Sequence, residues 1–160
     1  PARPFCFICF ICFICPQIES AMVPLFLDVD GVCNTIFSED YFTKFNMGNL
    51  KRLVETIDVK VVLSSDWRRS PQNLALARSE LLFYGITIFD TTPIKGFGFR
   101  NEEIKEWLSS ESWDRAIILD DMSPQFVDPQ MDKVFFLRTD DKLGLTEEDV
   151  DKVIGLFHGT

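Results

Sequence analysis

Apolar residues gather into five short runs along the chain, separated by stretches in which they recur at helical spacing. Leu25, Phe26 and Leu27 form the first run. It is closed by Asp28 and Gly31 and reads as a strand buried on both faces. Leu50, Leu53, Val54 and Ile57 then share one helical face. Residues 59–63 (Val-Lys-Val-Val-Leu) predict a second strand. Pro71 suits a first helical position, the segment to Phe83 carries Ala and Leu in helical proportion, and Gly85 is placed to end it. Residues 86–89 predict a short strand. Asn101 is placed to cap a helix whose inward face holds Ile104, Trp107 and Leu108. Residues 116–119 and 134–137 predict two more strands. Thr146 with Asp149 three later forms a capping box before the stripe Val150, Val153, Ile154 and Phe157. Strands separated by helices imply an α/β fold: a three-layer α/β/α, Rossmann-like parallel sheet of about five strands.

The first twenty-one residues do not fit this pattern. Phe-Ile-Cys repeats at residues 7–9, 10–12 and 13–15, and four of the five cysteines (6, 9, 12 and 15) fall here. Their spacing superficially matches an iron–sulfur ligand run, but the residues between them are Phe and Ile, with no Gly or Pro to fold a loop round a cluster. The apolar stretch is far shorter than the roughly 20 residues of a membrane span. Arg3 would suit a signal peptide, but no clear small-residue cleavage site follows. We read residues 1–21 as a non-native or disordered leader, Met22 as the natural start, and 22–160 as a single domain, about one domain's worth of chain. Cys33 is the one cysteine beyond the leader, so no disulfide framework is expected, which suits a reducing cytoplasm.

Net charge is −9 over 160 residues. An acidic chain disfavours an extended basic nucleic-acid groove or an anionic membrane as default partner, and it favours a divalent cation.

Four polar stations fall where strands end. Asp28 and Asp30 leave the first strand, and Gly31 lets the chain turn. Open parallel sheets bind ligands at these carboxyl ends. Ser64 and Ser65 follow the second strand, where hydroxyls and backbone N–H groups can hold phosphate oxygens, although either serine could equally cap the next helix. Lys95 and Arg100 flank a Gly-rich loop before a helix, where a cation can neutralise a phosphoryl group or simply sit in solvent. Asp120 and Asp121 end the fourth strand. Paired carboxylates repel unless a cation relieves them, and Mg²⁺ with its preference for oxygen ligands is the natural partner.

Asp28-Val29-Asp30-Gly31-Val32, Ser64 after an apolar strand, Lys95 or Arg100, and Asp120-Asp121, in that order, resemble the haloacid dehalogenase (HAD) superfamily of phosphotransferases. The resemblance runs from Val23 to Phe157. Residues 63–68 (Leu-Ser-Ser-Asp-Trp-Arg) and 100–108 look like the small HAD domains of bacterial RNA-repair (Swiss Army Knife) proteins. Residues 120–124 (Asp-Asp-Met-Ser-Pro) also resemble small phosphatases acting on phosphoproteins. The resemblance implies a Mg²⁺-dependent phosphomonoesterase working through an aspartyl-phosphate. Asp28 would be the nucleophile and Asp30 the general acid and then base. Ser64, with Ser65 as second choice, would hold phosphoryl oxygens, beside Lys95 or Arg100. The metal would sit on Asp28, the Asp30 carbonyl and Asp120, with Asp121 as a water-mediated or alternative ligand.

Many relatives insert a cap domain between Asp30 and the second strand, or between Ser64 and the basic residue. Each gap here is about 30 residues and already holds a helix, so no cap domain fits. An open site suits a large phosphorylated substrate, such as a nucleic-acid end or a protein. A small metabolite, or a non-catalytic binding module, is the alternative. Residues 33–47, with Phe37, Tyr41, Phe42 and Phe45, are the only local cover and equally read as packing. Adjacent Arg68 and Arg69 could meet a polyanion, but on an exposed loop they read as solvated charges. His158, the sole histidine, lies at the tail and is given no catalytic role. The oligomeric state is not legible.

Overall fold

The computed structural model describes residues 22–122 and 132–158, with the backbone alone at His158. The leader with its four cysteines, and Ser123 and Pro124 of the Asp-Asp-Met-Ser-Pro stretch, lie outside the described residues. Elements follow as β1 (Val23–Leu27), α1 (Lys44–Thr56), β2 (Val59–Leu63), a 3₁₀ turn (Asp66–Arg69), α2 (Pro71–Phe83), β3 (Ile88–Thr91), α3 (Arg100–Ser110), β4 (Ala116–Asp120), β5 (Val134–Arg138) and α4 (Glu147–His158). The strands form one parallel sheet in the order β3-β2-β1-β4-β5. This is the expected Rossmann-like α/β architecture. The β1–β2 connection holds only α1, and the β2–β3 connection only the turn and α2, so no cap domain is inserted at either place.

Alternation along the strands divides the core between the two faces of the sheet. Leu25, Leu27, Val61, Leu63, Ile117 and Leu119 point to the side packed by α1, α2 and α4. Phe26, Val62 and Ile118 point to the other, where Ile104, Trp107 and Leu108 of α3 cover them. Three of the helices, α1, α2 and α4, start where local chemistry expects. Thr43 accepts the Asn46 N–H at the start of α1, and Ser70 accepts the Asn73 N–H ahead of Pro71. Thr146 and Asp149 accept one another's backbone N–H groups (3.2 Å each) in a reciprocal capping box.

Two expectations need correction. β3 starts at Ile88 rather than at residue 86, and it runs to Thr91. Gly85 takes φ +79°, and the N–H groups of Gly85 and Ile86 return to Leu82 and Leu81 in a Schellman closure of α2. Ile86 is therefore buried but spent on ending the helix. Asn101 is not a cap: α3 begins one residue earlier, behind Phe99, which makes no capping side-chain bond. Elsewhere β4 and β5 each extend one residue further than expected, pairing Asp120 with Arg138. Among the described residues no helix is long and apolar enough to cross a membrane.

Candidate active site

The strand register builds one polar row. Leu63, Leu27 and Leu119 are aligned neighbours on β2, β1 and β4. The ladder continues one residue beyond them, through Ser64 N–H to Leu27 O and Asp28 N–H to Leu119 O (3.0 Å each). Ser64, Asp28 and Asp120 therefore stand side by side at the carboxyl ends of three adjacent strands. They follow the alternation of Val62, Phe26 and Ile118, whose side chains face α3. β1 and β4 also flank the point where the strand order reverses, the usual ligand position in such sheets.

Arg100, the first residue of α3, closes the row from above. Its Nη1 donates to both Asp28 Oδ2 and Asp120 Oδ2. The remaining oxygens are held by the backbone: Val29 N–H donates to Asp28 Oδ1 (2.8 Å) and Met122 N–H to Asp120 Oδ1 (2.9 Å). Burial nevertheless pushes the Asp28 carboxyl from 3.8 up to about 6. The Arg100 guanidinium pulls it down, and the neighbouring Asp120 charge and a Ser65 hydrogen bond act in opposite directions. The two carboxylates hold Arg100 firmly in its charged form despite burial. Burial first, and then the Asp120 charge, raise the Asp121 carboxyl as well.

One carboxylate oxygen from each of Asp28, Asp120 and Asp121 lies within 4.8 Å of the others. An all-oxygen, anionic donor set of three carboxylates fits a hard divalent cation such as Mg²⁺. Gly31 brings Asp121 into this group. It turns at φ +70°, and a Cβ there would stand 2.6 Å from Asp121 side-chain atoms. Thr139 fixes the same turn by donating its hydroxyl to Gly31 O (2.7 Å).

The other candidates fall as follows. Ser64 Oγ is buried with no hydrogen-bond partner among the described residues, which marks it as a donor free to meet an acceptor. Asp30 is exposed and lies outside the Asp28–Asp120 cluster. Its two oxygens accept from Asn34 Nδ2 (3.1 Å) and Trp67 Nε1 (3.0 Å). Lys95 is not brought into the cluster. Its Nζ pairs with Glu106 (2.6 Å), and only its backbone N–H turns inward, to Glu103. Of the two candidate cations, Arg100 is the one placed against the carboxylates.

Three features escaped sequence reasoning. Arg68 is buried rather than solvated: its Nε and Nη2 donate to the carbonyls of Thr92 (3.1 Å) and Pro93 (3.3 Å), its Nη1 to those of Ser64 and Ser65, and it pairs with buried Glu103. This strut ties the Ser64 loop to the first turn of α3, which carries Arg100. Only the chemistry of a strand-end loop that must satisfy its carbonyls hinted at it. Trp67 and Asn34, the partners of Asp30, were likewise unmarked. Trp67 stood within a quoted motif, but an indole in a polar turn was the sole sign that its N–H had a partner. Arg69 is not a solvated charge either: besides exposed Asp66 it donates to buried Glu103 (3.2 Å) and to the Gly96 carbonyl, and its guanidinium lies 4.8 Å from the exposed Phe97 ring centre.

No curated protein matches the chain. The sequence model of one family, described as the HAD domain in Swiss Army Knife RNA repair proteins, matches residues 24–150. That span runs from β1 into α4 and includes every residue of the polar row. The chain thus belongs to this HAD-domain family.

Proposed function

We propose that the protein is a Mg²⁺-dependent phosphomonoesterase that hydrolyses phosphorylated RNA ends through an aspartyl-phosphate. The observation that carries this reading is the single row of Ser64, Asp28 and Asp120, with Arg100 bridging the two carboxylates. Asp28 would attack phosphorus in line with the leaving oxygen, forming an O–P bond as the ester O–P bond breaks. The Asp30 carboxyl would give its proton to that leaving oxygen. It would then take a proton from the water that attacks the acyl phosphate, releasing phosphate and regenerating Asp28. Ser64 Oγ and Arg100 would hold the phosphoryl oxygens. A divalent cation on Asp28, Asp120 and Asp121 would screen the repulsion between carboxylate and phosphate, and the Asp30 carbonyl is the further ligand the family resemblance implies. That cation and Arg100 would seek the same oxygens of Asp28 and Asp120.

Support for an RNA end comes from the family description and from the rim. Phe37 and Tyr41 on the loop after β1, and Phe97 and Phe99 on the loop leading to Arg100, are exposed, and aromatic rings stack on unpaired bases. With a net charge of −9, recognition would be short and local rather than spread along the phosphate backbone. The test is phosphate release from a short 3′- or 5′-phosphorylated oligoribonucleotide, with Mg²⁺ and with chelator. Asp28→Asn serves as control. Mg²⁺-dependent release that vanishes in the variant supports the reading. Release that survives in Asp28→Asn rejects it.

A further inference from the structure

We propose that Trp67 and Asn34 are positioning residues that aim Asp30 at the leaving group. This inference rests on the reading of Asp30 as general acid given above. Asp30 lies on an exposed turn, where a free carboxylate would sample several rotamers. Here each of its oxygens has its own donor: Asn34 Nδ2 reaches Oδ1 and Trp67 Nε1 reaches Oδ2. The two donors come from different segments, one from the loop after β1 and the other from the turn after β2.

Both donors are themselves held. Asn34 Oδ1 accepts the Gly31 N–H (2.9 Å), which fixes which end of the amide faces Asp30, and Nδ2 also reaches the Tyr41 carbonyl (3.2 Å). The indole of Trp67 is gripped edge-to-face by Tyr41 (5.1 Å, 74°) and Phe42 (5.3 Å, 82°). The residues that looked like cover for the mouth thus set the direction of one N–H bond. Each carboxylate oxygen retains a second lone pair, so Asp30 can carry and pass a proton while both contacts persist. A proton donor held in place gains from proximity what a freely rotating one loses.

A leaving group that departs poorly without protonation needs Asp30 most. The experiment measures kcat/KM for phenyl phosphate and for p-nitrophenyl phosphate, whose phenolate leaves readily unprotonated, with saturating Mg²⁺. Trp67→Phe keeps the ring contacts and removes the N–H. It should lower kcat/KM for phenyl phosphate about tenfold more than for p-nitrophenyl phosphate, a fraction of the 10²–10⁴ that general acids supply. Asn34→Ser should show the same skew, and Asp30→Asn a larger one. A merely structural role would depress both substrates equally. Equal losses in both variants, or no loss, overturn the inference while leaving the phosphatase reading intact, provided the wild type remains dependent on Asp28. A wild type inactive toward both esters, as toward RNA ends, removes the reading and the inference together.

Discussion

Asp28→Asn should make the metal-free protein more stable while abolishing its proposed chemistry. Asp28 is 4% exposed, and its carboxyl is raised from 3.8 to about 6, chiefly by burial. Keeping it ionised at neutral pH therefore costs ~3 kcal/mol relative to the unfolded chain. Because the folded-state value lies above the unfolded one, the wild type is free of this cost below pH 3.8. It incurs the cost progressively as pH rises and bears it fully above about 6. Asparagine resembles the protonated carboxyl and carries no charge at any pH. It also leaves Arg100 paired with Asp120. In chelator at pH 7.5 the variant should melt roughly 6–12 °C above wild type, at 2–4 °C per kcal/mol for a chain of this size. The gap should narrow as pH falls from 6 towards 4. Adding Mg²⁺ should stabilise the wild type more than the variant. Thermal melts of both proteins across pH 4–8 decide the matter. A variant less stable than wild type at pH 7.5, or a gap that does not change with pH, refutes the argument that Asp28 is a strained buried charge.

Other consequences follow from the same row. Arg100→Met leaves Asp28 and Asp120 facing each other without their shared cation. The metal-free protein should lose stability and its melting temperature should respond more steeply to Mg²⁺ than wild type, while turnover collapses. Gly31→Ala forces φ +70° on an L-residue and drives its Cβ into Asp121. Isothermal titration should show weakened Mg²⁺ binding, and urea melts a loss of about 1–2 kcal/mol. Glu103→Ala removes the near carboxylate of buried Arg68, leaving Asp66 at 4.0 Å, and should cost about 3–5 kcal/mol in urea unfolding.

The periodicity of apolar residues was enough to read the sheet, because strands buried on both faces leave uninterrupted apolar runs such as Leu25–Phe26–Leu27 and Ile117–Ile118–Leu119. The polar row was legible for a related reason: its members sit just past those runs, and parallel register aligns them. What escaped was fixed by geometry beyond the strand ends. Ile86 looked like a strand residue because its apolar side chain is buried, but its N–H closes a helix. Lys95 and Arg100 could not be separated in the sequence, since the choice depends on which side chain the loop into α3 turns toward Asp28. Glu103 looked like an ordinary acidic residue in a first helical turn, and its buried partner Arg68 is 35 residues away. Pairings across that distance leave no local pattern to read.

The proposed chemistry requires Asp28 to become covalently phosphorylated. Rapid acid quench of a single turnover with ³²P-labelled phosphomonoester and Mg²⁺ would trap that species. Transient label should appear on the protein, be released by hydroxylamine, map to the peptide containing Asp28, and be absent from Asp28→Asn. Label on another residue, or full turnover in the wild type with no protein-bound phosphate at any time, would contradict it.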